Sequence, residues 1–145
     1  MKAWSLLLLR LSTGMILVLW GIVRVGSTET AQGLSDKYYW GLLSGEWIHT
    51  LFGVIEIGFG VLIMIGLWRK VIYPLQALVY GFGLLAIIQY IVDPFARYLV
   101  VGADHSILFF PSTTLFFATL VMLAFKEDDT LSLDTRLSQS SKQAG

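Results

Sequence analysis

Two charged residues interrupt long apolar runs, and they are the chain's first candidates for chemistry. Arg10 lies within Leu6-Leu7-Leu8-Leu9-Arg10-Leu11, and Glu56 within Val54-Ile55-Glu56-Ile57-Gly58-Phe59. An arginine at the centre of a bilayer-crossing helix costs about 2.5–3.5 kcal/mol on insertion scales. Each residue therefore needs a compensating partner, and opposite charge makes each the other's candidate. Such a pair either locks a bundle together or marks a ligand site for a quinone headgroup, a proton relay or an anion.

A second group of polar residues falls at the outer end of the second of these runs and of the apolar runs that follow. His49, Gln89, Asp93, Asp104 and His105 would line an outer polar mouth. A bis-imidazole haem would require His49 and His105 to converge, and neither histidine has ligands at local metal-binding spacing. Interfacial hydrogen bonding is the expected role, with haem disfavoured and no metal site expected. The chain has no cysteine, so structural disulfides, Cys-ligated metals and thiol chemistry of its own are excluded.

The elements that must position these residues are long and apolar. Of the 145 residues, 56% are hydrophobic and 14% charged, with a mean hydropathy of +0.73. That composition lies outside the range of ordinary soluble domains. About 20 apolar residues cross the hydrocarbon core as a helix, and four segments qualify: 3–25, 47–68, 71–92 and 106–125. The expected fold is all-α, a polytopic antiparallel four-transmembrane-helix bundle formed by residues 1–126. The first segment follows Lys2 as a signal peptide would. Arg10, the lack of a small-x-small cleavage site and the later spans instead favour an uncleaved helix.

Basic residues set the expected orientation. Lys2, Arg69, Lys70, Lys126, Arg136 and Lys142 share one side and outnumber Arg24, Lys37 and Arg97 on the other. Both termini are therefore expected in the cytoplasm of an inner-membrane protein. The net charge of zero leaves no footprint for nucleic acid.

The Arg69-Lys70 turn is short, so the spans on either side should form a helical hairpin. Pro74 is expected in the first turn of the third span, and Pro111 should kink the fourth. The outer loop 26–46 holds a segment, 35–43, in which Ser35 can cap a helix that places Tyr38, Tyr39, Leu42 and Leu43 on one face; it reads either as an amphipathic helix on the outer membrane surface or as a packed extracellular loop. Residues 127–145 are polar without hydrophobic periodicity and read as a disordered cytoplasmic tail.

Within the first span Arg10, Gly14, Leu17, Gly21 and Arg24 share a face. In the second, Glu46, His49, Gly53, Glu56 and Gly60 do. Small residues on both permit close approach, so the two faces should meet. With the outer ends level, Arg10 and Glu56 would be offset by about 8 Å along the bundle, within reach of a long arginine.

The elements Leu9-Arg10-Leu11-Ser12-Thr13-Gly14 with Trp20-Gly21, Val54 to Leu67 with Glu56, Gly58 and Gly60, and Ser132-Leu133-Asp134 resemble the DoxX family of small four-span membrane proteins. The resemblance implies an up-down membrane bundle in which Arg10, Glu56 and Asp134 stand for the family's arginine, glutamate and tail aspartate. Asp134 would fold back toward Arg10 or the Arg69-Lys70 turn. It also implies a link to redox physiology, since relatives include the membrane subunit of a thiosulfate:quinone oxidoreductase. The expected function is a small subunit or accessory of a quinone-linked membrane redox system. Its surroundings would be the lipid bilayer and a redox partner subunit or a second copy of the chain, and quinone is the one cofactor considered. The alternatives are a non-catalytic structural or assembly protein and, less favoured for want of an inverted repeat, a small-solute transporter.

Overall fold

The computed structural model describes residues 1–27, 46–95, 97–99 and 111–143, with positions 29, 33 and 36. Every regular element among them is helical: α1 (Lys2–Gly26), α2 (Glu46–Ile65), α3 (Arg69–Ala86), α4 (Ile88–Val92), α5 (Pro111–Ala124), a 3-10 turn (Lys126–Asp128) and α6 (Leu133–Gln143). Helix α1 and the Trp47–Ile65 stretch of α2 are long and apolar enough to cross a membrane. Apart from position 36, the expected 35–43 segment lies outside the described residues, as do the first residues of the fourth expected span.

Helix α2 stops where the sequence supplies a left-handed glycine. Gly66 has φ 70°. Its N–H reaches the carbonyl of Ile63 at 3.1 Å while that of Leu67 reaches Leu62 at 3.2 Å. This Schellman pairing satisfies carbonyls that the last turn would leave open. Trp68 is also left-handed, at φ 52°, and α3 begins at the next residue. Pro74 falls in the second turn of α3 rather than the first, so its missing N–H removes the i→i−4 hydrogen bond to the Lys70 carbonyl. The third expected span is broken at Ile87, which separates α3 from α4.

The interface between α1 and α2 is the most extensive, and glycines set its register. A Cβ at Gly60 would stand 2.6 Å from the Gly14 carbonyl oxygen, and one at Gly21 would stand 2.6 Å from that of Gly53. The two expected faces do meet, backbone against backbone. Helix α3 packs chiefly on α5, and α5 also reaches α1. Despite their short connection, α2 and α3 meet only narrowly. Leu17, Ile63, Ile72, Tyr73 and Met122 form the buried apolar core, with Leu9, Phe59, Leu62, Tyr80 and Leu123 around it.

Residues 127–143 are not the disordered tail that their composition suggests. Between the 3-10 turn and α6, Asp129 and Ser132 are both fully buried. The segment has little apolar periodicity because its attachment is polar: it is held by hydrogen bonds and ion pairs to arginines of α1 and α3.

Candidate functional site

The Arg10 guanidinium lies at the end of the bundle where α2 turns into α3, and it is 2% exposed. Its Nη1 donates to both carboxylate oxygens of Asp129, at 3.1 Å to Oδ1 and 2.9 Å to Oδ2. Its Nε donates to the Met64 carbonyl at 3.0 Å and its Nη2 to that of Leu131 at 3.4 Å. Asp129 Oδ2 also accepts the Tyr73 hydroxyl at 2.7 Å, and Arg69 Nη1 stands 3.6 Å from the same oxygen. Arg10 is therefore not paired with Glu56.

The glycine register explains why. With Gly14 against Gly60 and Gly21 against Gly53, Arg10 is level with Met64 and Glu56 is level with Val18. That offset of eight residue steps puts Arg10 and Glu56 about 12 Å apart along the axis at ~1.5 Å per residue. Side-chain direction widens the gap, because side chains on a helix lean toward its N-terminus. On antiparallel helices, Arg10 and Glu56 lean apart.

The same lean brings Arg24 back toward Glu56. Arg24 Nε donates to Glu56 Oε2 at 2.9 Å, with side chains 17% and 13% exposed. Arg24 also lies over the Phe52 ring, 5.0 Å from its centroid. The Tyr80 hydroxyl, within electrostatic reach of Glu56, donates to the Thr13 carbonyl at 2.7 Å. Gln76 lies one turn before Tyr80 on α3, and among the described residues neither of its amide atoms meets a partner at hydrogen-bonding geometry. Gln76 is fully buried. Arg24, Glu56, Tyr80 and Gln76 thus form a second polar group in which the Gln76 amide has unmet hydrogen-bonding capacity, whereas every guanidinium nitrogen of Arg10 has a protein partner.

The expected outer mouth is not assembled from its described members. His49 is fully buried on α2, and neither ring nitrogen has a hydrogen-bond partner among the described residues. Gln89 is exposed. Asp93 is buried, and its carboxylate accepts from the backbone N–H groups of Arg97, Tyr98 and Leu99 at 2.7–2.9 Å. It organises the chain that follows α4. Asp104 and His105 lie outside the described residues. Among the described residues no three His, Asp or Glu side chains converge as a metal site.

Asp134 lies against the turn between α2 and α3. Its Oδ1 accepts the Trp68 N–H at 2.9 Å and its Oδ2 the Arg69 N–H at 2.8 Å. A carboxylate there satisfies orphan donors and opposes the positive end of the helix dipole. Arg69 completes the attachment by donating to the Asp129 carbonyl at 2.9 Å and to Thr135 Oγ1 at 2.9 Å.

Asp129, Tyr73, Arg69 and Gln76 are the participants that sequence reasoning missed. Asp129 ends the run Glu127-Asp128-Asp129, which reads as a solvated cluster. Its signal was the nearness of Arg10 to the helix end shared with that run. Family models, curated proteins and solved structures were all compared with the chain, and none matches.

Proposed function

We propose that the chain is a four-crossing membrane protein of the DoxX type, with both termini cytoplasmic, working as a small subunit or accessory of a quinone-linked membrane redox system. The observation that carries the membrane reading is the inverted placement of residue types. Trp4, Leu8, Leu19, Phe82, Leu85 and Phe117 are exposed, while Arg10, His49, Gln76 and Asp129 are buried. A bundle in water gains by burying apolar surface; lipid removes that gain and penalises exposed charge.

The redox reading rests on the motif resemblance, supported by the interior group of Arg24, Glu56, Tyr80 and Gln76. An amide and an ion pair can hydrogen-bond quinone carbonyls or quinol hydroxyls within an apolar pocket. Arg10 and Asp129 have no such role here, because their hydrogen bonds are already made. That saturation favours a second reading, in which the protein is a structural or assembly factor whose charges only hold the bundle.

Gentle purification from native membranes, followed by quinone extraction and identification of co-purifying proteins, separates the two. Bound quinone or an oxidoreductase partner is the expected result. A partnerless protein retaining only bulk phospholipid would favour the structural reading.

A further inference from the structure

A groove of about 500 Å³ lies between the first turn of α3 and the segment carrying α6. Lys70, Lys126, Trp68, Glu127 and Ser138 line it, and Val71 forms its apolar edge. The charges within it are unevenly committed. Asp134 is occupied by the Trp68 and Arg69 N–H groups, and Arg69 by the carbonyls of Lys126 and Asp129. Among the described residues the ammonium groups of Lys70 and Lys126 have no ion pair.

The groove opens onto an apolar track. Val71, Leu75, Leu78, Phe82 and Leu85 recur at intervals of three, four and seven along α3, and all are exposed. They form one stripe that starts at the groove and runs along the helix. Trp68 stands at the junction, 64% exposed, as interfacial tryptophans do. Two uncommitted ammonium groups, a rim tryptophan and a continuous apolar stripe match the order of a phospholipid: phosphate, interface, acyl chain.

We infer that this groove binds the headgroup of an anionic phospholipid of the phosphatidylglycerol class, with an acyl chain along the α3 stripe. This assignment rests on the membrane reading above. The phosphodiester sits between Lys70 and Lys126, where each lysine contributes the short-range attraction that basic residues offer anionic headgroups. Glu127 and the Ser138 hydroxyl stand where hydroxyls of a glycerol headgroup can donate to them. The carboxylate disfavours inorganic phosphate, which brings up to twice the negative charge of a phosphodiester next to it.

Native mass spectrometry of the full chain in detergent, titrated with phosphatidylglycerol, phosphatidylcholine or inorganic phosphate, tests the assignment. Phosphatidylglycerol should bind in preference to phosphatidylcholine. Lys70→Gln and Lys126→Gln should each weaken it about fivefold, and the double variant about twentyfold. Both lysines keep their backbone contacts in these variants, so the fold is retained. Equal binding of the two lipids, or indifference to both substitutions, overturns the assignment. Displacement of the lipid by millimolar phosphate overturns it too, in favour of a soluble anion. Carbonate extraction of membranes reports separately on the reading beneath it: release of the chain into the supernatant sinks the membrane reading, and retention with no lipid preference sinks only this site.

Discussion

Arg10 and Asp129 are 119 residues apart in sequence and joined by a buried ion pair with an Nη1 to Oδ2 distance of 2.9 Å. The contact closes the chain on itself, with the start of α1 held by the turn after α5. Arg69 and Tyr73 bind the same aspartate from α3, so one carboxylate ties together elements from both ends of the chain and its middle. A buried pair is poor evidence for net stability, but removing one partner exposes the full desolvation cost of the other.

Asp129→Asn should therefore destabilise the protein by about 3–5 kcal/mol, measured as thermal or denaturant unfolding in detergent. Tyr73→Phe should cost about 1.5–3 kcal/mol, the range for a hydrogen bond to a charged group. Replacing Arg10 by Met together with Asp129 by Leu should recover most of the loss, since no orphan charge remains. Equal stability of wild type and Asp129→Asn would remove Asp129 as the partner of Arg10.

The packing of α1 on α2 makes a second prediction with an internal control. A Cβ at Gly60 would meet the Gly14 carbonyl oxygen at 2.6 Å, whereas one at Gly58 meets nothing within 4 Å. Gly60→Ala should cost about 1–3 kcal/mol through overpacking. Gly58→Ala should be neutral or stabilising by up to ~1 kcal/mol through helix propensity. Two alanines placed so near each other in one helix should thus move the unfolding midpoint in opposite directions.

How much of this was legible follows from the same glycines. The periodicity of Gly14, Gly21, Gly53 and Gly60 indicated which faces of α1 and α2 meet, because face is a matter of spacing within one helix. Register between helices is not, and the assumption of level outer ends made Arg10 and Glu56 look like partners. Gly14 against Gly60, combined with the lean of side chains toward each N-terminus, would have selected Arg24 for Glu56. Asp129 was harder to see. Apolar periodicity measures burial by hydrophobicity, and Asp129 and Ser132 are buried through polar contacts. Asp134 was legible as a residue that folds back toward either Arg10 or the Arg69-Lys70 turn, but its position at the start of α3 depends on left-handed Gly66 and Trp68, which composition does not reveal.

That turn yields a third prediction. Gly66 has φ 70°, and a Cβ there would lie 2.5 Å from Arg10 Nη1 and 2.7 Å from the Ser132 Cβ. Gly66→Ala combines a left-handed alanine, itself about 1–2 kcal/mol, with displacement of an arginine that has no alternative partner. Asp134→Ala loses the cap of Trp68 and Arg69, about 0.5–2 kcal/mol. Limited proteolysis should then cut residues 126–143 faster in both variants than in wild type. If both leave the cleavage rate unchanged, α6 is held by something other than this turn.

Charge exchange tests the second ion pair. Arg24→Gln or Glu56→Gln alone leaves one partly buried charge without its partner and should lower the unfolding midpoint. Exchanging both, Arg24→Glu with Glu56→Arg, should recover part of the loss. Neither single variant should alter the contribution of Asp129, because the two pairs lie on separate levels and distant sites add to within about 0.3–0.5 kcal/mol. Strong coupling between Glu56→Gln and Asp129→Asn would contradict that separation.

Gln76 sets stability and function against each other. Its amide is fully buried, and neither atom has a hydrogen-bond partner among the described residues. An unpaired buried polar group carries a cost of about 1–3 kcal/mol, and a leucine of similar volume carries none. Gln76→Leu should therefore raise the unfolding midpoint. If the amide instead serves a quinone headgroup, the same substitution should abolish quinone retention through purification while the fold becomes more stable. A purely structural bundle has nothing to lose at this position: the variant would be more stable and otherwise unchanged. Quinone content and unfolding temperature measured on one preparation separate these outcomes, and a fall in both would mean that Gln76 has a protein or water partner whose loss outweighs the relief.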